Sequence, residues 1–124
     1  MKNRVCIVMY EVSSIDEIKR AISSNKIVII EYYDPDSRES REFSKAVKAM
    51  EHTLDPSILL LRVSIKKFPS LMDGIKEIPC IRVYLDGRLV FEQQGSFGKR
   101  DLDLMVLRRS IRSTLRNLNA TFKI

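Results

Sequence analysis

The sequence predicts an α/β domain with a mixed central sheet of about five strands and helices on both faces of that sheet. The predicted elements follow the order βαβαβαββα along 124 residues, which is the size of one domain. The first strands are joined through helices, and such crossovers connect parallel neighbours. The last two strands are joined by Asp86-Gly87, a two-residue turn that is typical of an antiparallel hairpin.

The predicted strands are apolar and rich in β-branched and aromatic residues. Residues 27–30 are apolar without alternation, which indicates a central strand that helices cover on both sides. The glycines at positions 95 and 98 end the last strand. The strands are predicted at residues 4–12, 27–33, 58–65, 80–85 and 89–94.

Capping signals mark where the first two helices begin. Ser14 and Glu17 have the spacing of a capping box, in which each side chain accepts a hydrogen bond from the other residue's backbone amide. The helix that follows them ends near Asn25. Ser37 is an N-cap residue for a second helix that extends to about residue 52. This helix is expected to bury three apolar residues at helical spacing: Phe43, Val47 and Met50.

A short segment, residues 68–74, has room for one or two helical turns. A final helix is predicted over residues 99–118. The apolar stripe of the final helix comprises Leu104, Leu107, Ile111, Leu115 and Leu118. Two large apolar residues, Phe122 and Ile124, occur in the tail that follows it. Such a tail either folds back on its own domain or docks on another chain.

The net charge of +6 is concentrated near the end of the chain. Residues 99–124 contain seven of the 22 Lys and Arg residues but only two of the 16 Asp and Glu residues. Four of these arginines, Arg108, Arg109, Arg112 and Arg116, form a basic patch on the final helix. The basic patch is either a solvated face that complements the helix dipole or a binding surface for an acidic partner. Nucleic acid is the weaker alternative, because no aromatic residues are interleaved with the arginines.

Composition excludes several classes of protein. The longest apolar runs are too short to cross a bilayer or to form a secretory core, so we expect a cytoplasmic protein without a membrane span. The two cysteines, Cys6 and Cys80, have neither the spacing of metal ligands nor the number that a disulfide framework needs. Acidic residues around Ser37 complement a helix N-terminus, so no metal site and no cofactor are predicted.

Three segments of the sequence resemble the thioredoxin family. Residues 30–36 (IEYYDPD) are similar to its active-site strand and loop, residues 75–79 (IKEIP) to the segment that ends in its cis-proline, and residues 83–95 to its closing hairpin. The resemblance covers about residues 1–118 and leaves residues 119–124 as a C-terminal tail. It implies a thioredoxin-like three-layer αβα sandwich.

One departure from the family decides the expected chemistry. Ser37-Arg38-Glu39-Ser40 stands where the family has Cys-x-x-Cys. Disulfide exchange needs one thiolate to attack and a second thiol to resolve the mixed disulfide, and a serine hydroxyl has no sulfur to exchange. We therefore expect no dithiol oxidoreductase activity. Glu31 stands where the family has a buried acid. Without the cysteines it is expected to be either a structural remnant with a shifted pKa or a hydrogen-bonded strand residue.

The resemblance leaves a binding site in place of the active site. It implies a cis bond at Pro79, which would turn the backbone of Ile78 outward so that an extended peptide can pair with it. Asp36, Ser37–Ser40, Ile78 and Pro79 would then form a peptide groove for a segment of another protein. The alternative is a vestigial groove that binds nothing. The sequence thus favours a non-catalytic binding or scaffold module.

Cys80 supplies the alternative from the enzyme class. Its place after Pro79 would allow a single-thiol redox or glutathione-type reaction, whereas an apolar strand favours an inert core cysteine. In the sheet order that the resemblance implies, Cys6 and Cys80 lie about 14 Å apart. A disulfide requires Cα atoms within roughly 7 Å, so these two cysteines are not expected to pair.

Overall fold

The computed structural model describes residues 9–124, in which a five-stranded mixed sheet lies between two layers of helices. The strands are β1 (Tyr10–Glu11), β2 (Ile27–Tyr33), β3 (Leu59–Ser64), β4 (Cys80–Leu85) and β5 (Arg88–Gln94). The helices are α1 (Ile15–Ser24), α2 (Arg38–Ala49) and α3 (Arg100–Asn117), with short 3₁₀ turns at Met50–His52 and Pro69–Met72.

The strands are arranged in the order β1-β3-β2-β4-β5. The strands β1 and β2 pair with β3 in parallel, whereas β4 pairs antiparallel with both β2 and β5. The predicted α/β fold with a mixed sheet is therefore confirmed. The predicted first strand is described only at its end, because residues 4–8 and Cys6 with them lie outside the described part of the chain.

The central strand β2 buries side chains on both faces of the sheet. Ile27 and Ile29 point into a core that α2 and α3 cover, and Val28 and Ile30 point into a second core that also contains Ile18 of α1. Alternate residues of a strand face opposite sides, so a strand with two buried faces is apolar throughout. This explains why residues 27–30 lack the alternation of a half-exposed strand.

Both predicted caps are present. The Ser14 hydroxyl accepts a hydrogen bond from the Glu17 amide at 3.2 Å, and the Glu17 carboxylate accepts one from the Ser14 amide at 3.2 Å. The helix α2 begins directly after Ser37, and its predicted final turn is a 3₁₀ turn in the structure. Phe43, Val47 and Met50 are all buried.

The predicted burial of Leu118 is wrong. Leu107, Ile111 and Leu115 lie in the core, but Leu118 is 47% exposed because α3 ends at Asn117. The chain reverses at Asn119, which has a φ of 57°, and the Ala120 amide then donates to the Leu115 carbonyl at 2.8 Å. Leu118 therefore lies beyond the helical stripe to which its spacing assigns it.

The tail of residues 119–124 folds back on the core beneath α3. Ile124 is 1% exposed and packs in the same cluster as Leu107 and Ile111. The Asp55 amide donates a hydrogen bond of 2.6 Å to the Lys123 carbonyl, which fixes the end of the tail against the loop before β3. The sequence left two arrangements open for the tail, docking on another chain or folding back on its own domain. In the structure it folds back on its own domain.

Replacing Ile124 by alanine is expected to lower the free energy of unfolding by about 2–4 kcal/mol, because the change leaves a cavity among buried side chains. Urea unfolding at neutral pH measures this. The matched control is Leu118→Ala, which removes the same number of carbon atoms from an exposed position and should change stability by less than about 1 kcal/mol. Equal losses in the two variants would contradict the packing described for the tail.

Candidate functional site

The strand register brings the two halves of the predicted peptide groove to one end of the sheet. Tyr32 lies opposite Cys80 in the β2–β4 pair, so Pro79 lies next to the point where β2 ends. The loop after Tyr33 leads within four residues to α2. Ser37–Ser40, at the start of α2, and Pro79, before β4, therefore lie near the same end of the sheet.

The hydroxyl groups of Ser37 and Ser40 stabilise the start of α2 and the loop before it. The Ser37 hydroxyl caps the helix by accepting a hydrogen bond from the Ser40 amide at 3.2 Å. Ser40 is fully buried, and its hydroxyl accepts a hydrogen bond from the Asp34 amide at 3.1 Å. Each hydroxyl thus satisfies a backbone donor of the loop or of the first helical turn.

Polar contacts of its own residues hold the loop between β2 and α2. The Asp34 carboxylate accepts a hydrogen bond from the Asp36 amide at 2.9 Å, and Asp36 forms an ion pair with Lys66. The guanidinium of Arg41 donates to the Pro35 carbonyl at 3.2 Å. Arg38 and Glu39, between the two serines, are exposed. This wall of the predicted groove is therefore fixed by its own contacts and carries charged side chains.

The other wall of the groove is the segment before β4. The Ile78–Pro79 peptide bond is cis, and the Pro79 carbonyl accepts a hydrogen bond from the Gly95 amide at 2.7 Å. The Gln94 side-chain oxygen accepts hydrogen bonds from the amides of Lys76 and Glu77 at 2.8 and 3.0 Å. Gln94 thus fixes the backbone on one side of Ile78, and Gly95 fixes it on the other side.

Ile78 itself has an unpaired backbone. Its amide and its carbonyl make no hydrogen bond with any group of residues 9–124, although its neighbours on both sides do. The role of Gln94 beside it was missed from the sequence, because a glutamine at the end of a hairpin strand has no signal that distinguishes it from a surface residue.

Glu31 is completely buried below the groove, on the face of β2 that α2 covers. Burial raises the pKa of its carboxyl group from 4.5 to about 7, although Ser44 and Arg62 both act to lower it. The Ser44 hydroxyl donates a hydrogen bond of 2.5 Å to one carboxylate oxygen, and the Arg62 Nε lies 3.7 Å from the other. The Glu31 carboxyl group therefore stays protonated to a higher pH than that of an exposed glutamate.

Arg62 connects this buried acid to the surface. Its guanidinium stacks on the Tyr33 ring at 3.7 Å and lies 3.4 Å from the Glu11 carboxylate, which also accepts a hydrogen bond from the Tyr33 hydroxyl. The register pairs Arg62 directly with Glu31. This partner was missed from the sequence, although a single charged residue in the apolar run of β3 was a signal for it.

Cys80 is enclosed in the sheet. Its side chain is fully buried, and burial raises the pKa of the thiol to about 12. A thiol with such a pKa contains almost no thiolate at neutral pH, and the thiolate is the reactive form.

We expect iodoacetamide at pH 7 to leave Cys80 unmodified in the folded protein and to modify it after unfolding in urea. Mass spectrometry of the proteolytic peptide that contains Cys80 measures this and separates it from any label on Cys6. Modification of Cys80 in the folded protein, at the rate found in urea, would contradict the burial and would revive the single-thiol alternative.

Two arginines of the predicted basic patch form hydrogen bonds within the domain, and the other two are exposed. The guanidinium of Arg108 donates to the Thr53 hydroxyl at 2.7 Å, and that of Arg112 donates to the Ile124 carbonyl at 2.9 Å. These two arginines thus attach α3 to the residue after the 3₁₀ turn that follows α2, and to the tail. Arg109 and Arg116 are exposed and have no ion pair in the described part of the chain.

Two wider features of residues 9–124 bear on function. None of their helices has the length and apolar composition that a membrane crossing requires. They also contain no group of three or more His, Cys, Asp or Glu side chains placed to hold a metal ion.

Comparisons with known proteins identify the fold. No protein-family model matches the sequence, and no curated protein matches it. Among solved structures, thioredoxin from Malassezia sympodialis superposes with a TM-score of 0.73 at 15% identity over 92% of this chain and 96% of that one. A mutant thioredoxin from Halobacterium salinarum gives 0.68 at 18% identity over 85% and 88% of the two chains. Thioredoxin from Trypanosoma brucei brucei gives 0.69 at 11% identity over 90% and 97%. The chain therefore has the thioredoxin-like α/β sandwich fold.

Proposed function

We propose that this chain is a non-catalytic thioredoxin-like module that binds an extended segment of another protein. The observation that carries the proposal is the unpaired backbone of Ile78, at the end of the sheet where serines stand at the expected cysteine positions. The position of the groove is inferred from the resemblance to thioredoxins.

The side chains at this end of the sheet support the absence of dithiol chemistry. The hydroxyls of Ser37 and Ser40 accept backbone hydrogen bonds and contain no sulfur to exchange. The thiol of Cys80 is buried and has a pKa of about 12, so it is a poor substitute nucleophile. Without a reactive thiol, the groove can bind a disulfide-containing chain but cannot reduce it.

The backbone geometry supports strand addition. An extended segment that lies along Ile78 would accept a hydrogen bond from its amide and donate one to its carbonyl. The hydrogen bonds of Gln94 and Gly95 hold this part of the backbone in place before a partner arrives. Preorganisation of this kind lowers the entropic cost of binding.

Selection from a library of displayed, unstructured peptides tests the proposal and does not require the natural partner. We expect peptides to be enriched and, when bound, to shift the NMR resonance of the Ile78 amide and slow its hydrogen exchange. The amide of Ala21, on α1, is an internal reference that should not change. Failure to enrich any peptide, or binding that leaves the Ile78 amide unchanged, would overturn the proposal. An insulin-reduction assay with dithiothreitol should show no turnover above the reagent alone.

A further inference from the structure

A small cleft lies between the two walls of the proposed peptide groove. We call it the acidic cleft, and its volume is about 150 Å³. Glu39, from the first turn of α2, and Glu77, from the segment before Pro79, both line it. The rest of its lining comes from the end of β5 and the loop after it, including Gln93, Ser96 and Phe97.

The charge of the acidic cleft is opposite to that of the chain. The chain as a whole carries +6, yet the lining of the cleft contains two carboxylates and no Lys, Arg or His. Within residues 9–124, neither Glu39 nor Glu77 forms an ion pair. The cations that directly precede these glutamates in the chain, Arg38 and Lys76, do not line the acidic cleft, although Arg38 lines a neighbouring cleft together with Glu39.

The backbone on both sides holds the two carboxylates at the cleft. The Gln94 side chain fixes the Glu77 amide at 3.0 Å, and the Glu77 carboxylate lies over Gly95, 3.0 Å from where a Cβ on that residue would be. Gly95 has a φ of +87°, so a glycine is favoured there and the space above it stays open to the carboxylate. The capped first turn of α2 fixes the backbone of Glu39.

Two further groups of the cleft have no partner of their own. The amide nitrogen of Gln93 is buried and has no hydrogen-bond acceptor among the described residues. A buried donor without an acceptor is costly, and a shift of this side chain on binding would let it donate to a carbonyl of the peptide. The ring of Phe97 is 55% exposed, and an aromatic face beside carboxylates attracts cations. The donor, the ring and the carboxylates together fit a peptide with a cationic side chain.

We infer that the peptide groove selects segments with an arginine or lysine next to the residue that pairs with Ile78. This inference rests on the proposed function and adds the chemistry of the bound segment. Successive residues of an extended chain are about 3.3 Å apart and point to opposite sides. Glu77 precedes Ile78 directly, so a side chain one residue from the paired position reaches the acidic cleft. Its cationic group then makes charge-assisted hydrogen bonds with Glu39 and Glu77.

The test compares peptide selections on three forms of the protein. The natural sequence should enrich peptides with a basic residue at one position, and Glu39→Lys/Glu77→Lys should enrich acidic peptides instead. The double variant Glu39→Gln/Glu77→Gln should bind the best basic peptide about tenfold more weakly, which is the effect of losing one or two exposed charge-assisted contacts. The matched control is Glu42→Gln on α2, because Glu42 pairs with Lys45 and lies outside the acidic cleft.

The outcomes separate this inference from the proposed function. Peptides that bind without a basic residue, or whose affinity is the same for Glu39→Gln/Glu77→Gln, would overturn the inference and leave the binding function standing. Enrichment of no peptide by any of the three forms would overturn both. Both glutamates are exposed, so the variants should unfold at the same urea concentration as the natural sequence, and that measurement excludes loss of folding as the cause.

Discussion

Replacing both Ser37 and Ser40 by cysteine is expected to give this chain dithiol–disulfide exchange activity, whereas the natural sequence is expected to show none. The two positions are three residues apart across the first turn of α2, where side chains are neighbours at about 5–6 Å. Disulfides need Cα separations of about 4.4–6.8 Å, so an internal disulfide can form there without moving the backbone far.

The chemistry of the variant follows from its place in the fold. The helix N-terminus lowers the pKa of a cysteine and increases its thiolate content. The thiolate attacks a substrate disulfide and forms a mixed disulfide; the second thiolate then attacks that bond, which releases the substrate as a dithiol and leaves the cysteine pair oxidised. Dithiothreitol reduces the pair again. Loss of the Ser37 cap should cost about 1 kcal/mol, which a folded domain tolerates.

Insulin reduction in the presence of dithiothreitol measures the gain of activity. The single variant Ser37→Cys is the matched control, because it can form the mixed disulfide but has no second thiol to resolve it. It should therefore show little turnover. If the double variant remains folded but forms no internal disulfide on oxidation, the assignment of positions 37 and 40 to the active-site cysteines of the family is wrong.

Replacing Glu31 by glutamine is expected to stabilise the protein at pH 8 by about 3 kcal/mol and to change its stability little at pH 5. In the folded protein, burial raises the pKa of Glu31 to about 7, above its ordinary value of 4.5. The folded state then binds more protons than the unfolded state between these values, so the stability that depends on this residue falls as the pH rises from about 4.5 to 7. At about 1.4 kcal/mol for each pH unit, the loss is about 3 kcal/mol.

Urea unfolding at a series of pH values between 5 and 8 tests this prediction. Glutamine is neutral at every pH and can keep the hydrogen bond with Ser44, so the variant should lack the decline of the natural sequence. Glu11→Gln is the control, because Glu11 contacts the same Arg62 from an exposed position. Its charge is a lesser cause of the raised pKa of Glu31 than burial, so most of the decline should remain. Parallel stability curves for Glu31→Gln and the natural sequence would contradict the raised pKa.

Much of the fold could be predicted because its signals are local. The apolar run of β2, the capping box at Ser14 and the turn at Asp86-Gly87 each specify a structure within a few residues. The exposure of Leu118 could not be predicted, because helical spacing continues past the residue at which the helix ends. That end depends on the reversal at Asn119 and on the packing of Ile124, which are contacts between separate parts of the chain.

The same distinction applies to the candidate site. Ser37–Ser40 and Pro79 could be predicted as site residues because a resemblance gave their positions along the chain. The pairing of Glu31 with Arg62, and the meeting of Glu39 with Glu77, depend on strand register and on the relative placement of two loops. No pattern within one segment of the sequence contains that information.

The return of the tail to the core has a consequence for how the protein is made. Ile124 fills the space beside Leu107 and Ile111, which belong to a helix that leaves the ribosome before it. Until residues 120–124 emerge, that part of the core is open, and the nascent chain exposes apolar side chains that chaperones recognise. A chain cut before Ile124 lacks the side chain that completes this cluster, so we expect the layer formed by α2 and α3 to be less stable in it than in the full sequence.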